Sequence, residues 1–74
     1  MSLHSSTFNY LKPTDKQVTD MQKVRAASTE YASVLEWFLP EGADKTYTLR
    51  KFREVAMWAN VAITRNQDGS PRGE

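Results

Sequence analysis

His4 is the only histidine in this 74-residue chain, and there is no cysteine. A single imidazole without thiolates builds neither a structural zinc site nor a Ser-His-Asp relay. No nucleophile stands with a base, no two carboxylates share a helical face, and no glycine-rich phosphate loop occurs. The sequence therefore predicts no catalytic residue, no metal and no cofactor, and His4 reads as a solvated residue of an N-terminal arm. What remains is the chemistry of binding.

Three groups of residues carry that chemistry. Tyr10, with Phe8 and Lys12 beside it, offers an aromatic face on which a nucleobase can stack, a contact worth about 1–3 kcal/mol per base. The same rings can instead act as a hydrophobic staple that packs the arm against the first helix. Lys23 and Arg25 form the second group. Arg25 lies one turn after Met21 and one turn before Ser28, close to an apolar stripe. There it can bury its stem and aim a planar fork at a phosphate, or simply snorkel to solvent. The third is the run Arg50-Lys51-Phe52-Arg53. Its cations point in different directions about a helix axis, so they form no single patch, and Arg50 can pair with Glu54 at i,i+4. Asn60 stands among Ala59, Val61 and Ala62, where an amide needs a partner.

These groups are positioned by two helices. Residues 1–13 read as an arm without helical or alternating periodicity. Thr14-Asp15-Lys16-Gln17 is a capping-box sequence that opens a helix, and Asp15 suits its positive end. Met21, Val24, Ser28, Tyr31, Leu35 and Phe38 then repeat at spacings of three and four, which predicts one helix from Asp15 to Phe38. Pro40-Glu41-Gly42 breaks it. Asp44 is the expected cap of a second helix, whose stripe is Leu49, Phe52, Ala56, Ala59 and Ile63. The polar segment 66–74 reads as a disordered tail. A short connection makes the helices antiparallel neighbours. The predicted fold is an all-α two-helix hairpin over residues 14–65, preceded by the arm.

Such a hairpin is expected to need company. A chain this short builds little core alone, and disulfides are excluded. Val34, Trp37, Val55, Trp58, Val61 and Ala62 fall beside the two stripes, and a third layer that would cover them is lacking. A closed homo-oligomer follows. The formal net charge of +1 is too small for general binding to duplex nucleic acid. No apolar run reaches the roughly 20 residues that span a membrane, and no signal-peptide pattern is seen, so a cytoplasmic location is expected.

The segments Tyr10-Leu-Lys-Pro-Thr14, Met21-Gln-Lys-Val-Arg25-Ala-Ala and Leu49 to Ile63 (LRKFREVAMWANVAI) resemble a family of small phage proteins that sequester cyclic nucleotide immune signals. That family includes sponges that counter cyclic-oligonucleotide-based antiphage signalling (CBASS) and the hairpin domain of Thoeris anti-defence proteins. The resemblance spans residues 8 to 65, and the run from Ala56 to Ile63 is its most distinctive part. It implies a compact helical hexamer that holds cyclic dinucleotides between protomers, with an arm tyrosine stacked on a base and a basic residue of the first helix at the phosphates. Tyr10 and Arg25 match those positions, with arginine where lysine is usual. Some members hold cyclic trinucleotides through an arginine late in the second helix, and Val61 stands there instead. On this footing the expected ligand-binding set is Tyr10, Arg25, Phe8, Lys12, Ser28 and Asn60. The expected function is non-enzymatic sequestration of cyclic dinucleotides. The rival readings are capture of glycocyclic ADP-ribose and a helical adaptor that binds a host protein through Trp37 or Trp58.

Overall fold

Thr14 begins the first helix as its sequence requires. Its hydroxyl accepts from the Gln17 N–H at 3.2 Å, and the Gln17 side-chain oxygen accepts from the Thr14 N–H at 2.9 Å. This reciprocal pair closes the capping box and leaves Gln17 only 5% exposed. A computed structural model describes residues 2–73 and contains two helices, α1 (Asp15–Phe38) and α2 (Ala43–Thr64). Met1 and Glu74, the outer ends of the expected arm and tail, lie outside the described residues.

α1 ends where proline dictates. Leu39 precedes Pro40 and is extended, at φ −81° and ψ 133°, as a residue before proline prefers. The cap of α2 differs from expectation: it is Gly42, at φ 149°, a backbone that glycine adopts without steric cost. Asp44 instead sits in the first turn, where its charge complements the helix dipole.

Pro40 also leaves a gap that Lys45 fills. The carbonyl of Glu36 would normally accept from the residue four places on, but Pro40 has no N–H. Lys45 Nζ donates to that carbonyl at 2.8 Å and to Glu41 Oε1 at 2.6 Å. Lys45 is 8% exposed, and Glu36 Oε2 stands 3.7 Å from its ammonium. The hydrogen bond to Glu41 raises the ammonium's pKa above its ordinary value, against the pull of partial burial. One lysine thus ties the end of α1, the loop and the start of α2.

The helices pack through the expected stripes. Met21, Val24, Ser28 and Leu35 of α1 and all five stripe residues of α2 are half-buried. Tyr31 meets Phe52 edge to face, with centroids 5.2 Å apart. Tyr31 and Phe38 stay mainly exposed, and Ala32 takes the inner position. No hydrophobic residue among those described is buried in the single chain. Trp37, at 83% exposed, and Trp58, at 64%, stand on its outside.

The segment after α2 departs from the disordered tail read from its polarity. Asn66 N–H donates to Ser70 O at 2.8 Å, Gly69 N–H to Asn66 O at 2.9 Å, and Arg65 and Pro71 form an isolated bridge. Asp68 accepts from the Ser70 N–H at 2.9 Å and from its hydroxyl at 2.7 Å. The turn chemistry of Asp, Gly and Ser outweighs the lack of apolar residues. The turn docks on the arm. His4 N–H donates to Asp68 O at 2.6 Å, and the Arg65 guanidinium donates to the carbonyls of Ser6, Asn9 and Gly69. His4 is therefore exposed, as expected, but its arm is held.

Candidate functional site

The antiparallel hairpin brings one edge of each stripe to the same groove. From α1 come Arg25, Ser28 and Thr29, and from α2 come Arg53 and Asn60. Val24, Ala32, Leu49, Phe52 and Ala56 complete the lining. The groove encloses about 310 Å³ and is open on one side. It therefore couples an apolar lining to two guanidinium groups and three neutral hydrogen-bonding side chains.

Three of the six expected site residues, Arg25, Ser28 and Asn60, meet here. Asn60 is exposed at the groove, so its amide is free to face a ligand. Arg25 and Arg53 are also exposed, and neither takes part in an ion pair among the described residues. Two arginines without carboxylate partners beside an apolar lining suit a multiply charged anion that carries flat rings.

Phe8, Tyr10 and Lys12 are not brought to this groove within the chain. Phe8 is 91% and Tyr10 88% exposed. Neither ring staples the arm to α1, because a packed ring would lose most of its exposure. Their rings are exposed on the surface of the chain.

Arg53 is the residue that sequence reasoning passed over. It lies four places after Leu49 and three before Ala56, at the edge of the α2 stripe, as Arg25 lies at the edge of the α1 stripe. That shared position is the signal, and it emerges only when Arg53 is set against the stripe and not against its neighbours Arg50 and Lys51. The expected Arg50–Glu54 pair is replaced: Glu54 lies 3.6 Å from Lys51, whose ammonium stands 5.5 Å from the Tyr47 ring centroid. Val61 is exposed and lines a second groove, of about 320 Å³, with Trp58, Arg65 and Arg72 among its neighbours.

Residues 4–64 match the family model described as Acb2/Tad1, hairpin domain. The chain belongs to that family. The match includes most of the arm, both helices and every residue of the open groove. No curated protein and no solved structure matches the chain. Membership of the Acb2/Tad1 hairpin family agrees with an anti-defence sponge. No helix among the described residues is long and apolar enough to cross a membrane.

Proposed function

We propose that this protein is a non-enzymatic sponge that binds cyclic dinucleotide signals between protomers of a homo-oligomer and so silences antiphage signalling in the host cytoplasm. The observation that carries the reading is the open groove: Arg25 and Arg53, without ion pairs among the described residues, line it beside apolar side chains, and no described apolar side chain is buried within the chain. A cyclic dinucleotide is a rigid dianion with two aromatic bases. The arginines meet its phosphates, Ser28, Thr29 and Asn60 supply hydrogen bonds, and the lining covers its rings. The exposed Tyr10 of a neighbouring protomer closes the open side and stacks on a base. Because the ligand is held and not converted, free signal falls in proportion to the protein present.

Calorimetric titration against cyclic dinucleotides, cyclic trinucleotides and glycocyclic ADP-ribose tests the reading. Tight binding of at least one cyclic dinucleotide, recovered unchanged after denaturation, is the expected result. Failure of all cyclic dinucleotides to bind, or their time-dependent linearisation, overturns it. Capture of glycocyclic ADP-ribose is the second reading, favoured by a family model that covers both the CBASS and the Thoeris branches.

A further inference from the structure

Tyr10 presents a difficulty to any role in stacking. With 88% of its surface exposed, its ring has almost no contacts of its own, so only the backbone can aim it. An arm without helical or strand pairing would leave that backbone free, and the cost of ordering it would be charged against binding.

The structure holds this backbone from an unexpected place. Arg65 caps α2 with extended geometry, φ −131° and ψ 152°. Its Nη2 donates to Asn9 O at 2.7 Å. That oxygen belongs to the peptide unit joining Asn9 to Tyr10, which is planar. Fixing the carbonyl therefore fixes the plane from which Tyr10 departs. Nη1 donates to Ser6 O at 2.9 Å and to Gly69 O at 2.6 Å. The fork thus spans both ends of the arm turn, itself closed by Asn9 N–H donating to Ser6 O at 3.0 Å, and joins it to the tail turn.

The tail turn is shaped to make this contact. Gly69 is buried, at φ +93°, and a Cβ there would collide with the Thr7 side chain. The close approach of tail to arm thus depends on glycine for both space and backbone.

We propose that Arg65 is the positioning residue of the arm: its guanidinium clasps the Asn9–Tyr10 peptide to the tail turn and so presents the Tyr10 ring to the ligand. The proposal rests on the sponge reading for its ligand. Arg65 is well placed for this because a planar fork satisfies several carbonyls at once, which an ammonium on a flexible stem does not.

The test joins two measurements. Hydrogen exchange of the arm at short times, without ligand, is compared in the parent, Arg65→Ala, Arg65→Lys and Gly69→Ala. Cyclic dinucleotide affinity is then measured in the same proteins and in Tyr10→Ala and Tyr10→Ala/Arg65→Ala. Arg65→Ala is expected to speed exchange at Thr7 and Asn9 and to weaken binding about tenfold, the scale of a lost charge-assisted hydrogen bond. Arg65→Lys should keep the charge but restore little of either. In the Tyr10→Ala background the Arg65 effect should shrink to within about twofold, because a positioning residue has nothing left to position. Gly69→Ala should reproduce the loosened arm with Arg65 intact, which serves if Arg65→Ala fails to fold.

Unchanged arm exchange in both Arg65→Ala and Gly69→Ala overturns the clasp. Additive losses in the double variant, or full rescue by lysine, also overturn it, since they mean that Arg65 meets the ligand by its charge alone. A parent that binds no cyclic dinucleotide overturns the sponge reading and the presenting role with it, while the exchange data still report on the clasp itself.

Discussion

At the scale of single residues, recognition divides between groups that supply charge and groups that supply a flat face. Arg25 and Arg53 share the groove, so each should count alone. Removing either by alanine should weaken cyclic dinucleotide binding by about 1.5–3 kcal/mol, the range for hydrogen bonds to charged groups, with the oligomer intact by light scattering. Tyr10→Ala should cost about 1–3 kcal/mol, and Tyr10→Phe, which keeps the ring, clearly less. If both arginine variants bind as the parent does, the groove is not the site. Acid should act through a different residue. Hydrogen bonds from Ser70 hold the Asp68 carboxyl below the usual carboxylate range. A depressed pKa means that its stabilisation is present above the unfolded-state value and is lost as pH falls through the folded-state one. The tail turn should therefore hold at pH 5 to 7 and loosen below about pH 4, in the ordinary carboxylate range. Arm exchange followed against pH checks this, and Asp68→Asn should remove that acid step.

At the scale of elements, the hairpin depends on how its ends are finished. Thr14→Ala removes one half of the capping box and should lower stability by about 1 kcal/mol, measured as a shift in thermal unfolding. Lys45→Met should destabilise the loop because the Glu36 carbonyl then loses its donor beside a proline. The raised pKa of Lys45 places its contribution below the ordinary lysine value, to be lost only as pH rises past it. The parent should therefore weaken in strong alkali where the variant shows no such step. These elements also show what the sequence makes legible. Both ends of α1 follow from Thr14, Gln17 and Pro40, since capping and proline chemistry are local. The inner stripes follow from spacing, for the same reason. The clasp does not, because it depends on residues far apart in the chain. Arg65 reaches Ser6 and Asn9 across more than fifty positions, and no periodicity encodes such a contact. The tail has a different cause: polarity reads 66–74 as disordered, whereas the turn residues Asp68, Gly69 and Ser70 order it locally. The Arg50–Glu54 pairing shows a third, since helical spacing admits several partners and the geometry chose Lys51.

At the scale of the whole molecule, the single chain is more open than a compact monomer. Its accessible surface is 6061 Å², whereas a compact monomer of this mass exposes roughly 4,700 Å². Its radius of gyration is 15.1 Å, against about 11 Å for a globular chain of this length. The difference, about 1,400 Å², lies between what a protomer gives up to one partner and to two in ordinary specific interfaces, at about 800 Å² for each. Trp37, Val55, Trp58 and Val61 are exposed on the outside of the hairpin, where a partner would cover them. The same surroundings serve the proposed ligand site, because the groove is open on one side and Tyr10 does not line it. Assembly should then carry both stability and binding. Sedimentation should show a species several times the 8.5 kDa chain mass, six chains if the assembly is the hexamer that the family resemblance implies. Its thermal midpoint should fall on dilution, as mass action requires when folding and association are linked. Trp58→Glu places a charge on the outer face and should yield smaller species that unfold with little cooperativity and bind cyclic dinucleotides weakly, although no residue of the groove has changed. A monomeric parent at micromolar concentration, with a sharp unfolding transition independent of dilution, would mean that the two stripes suffice and that the outer tryptophans serve another partner.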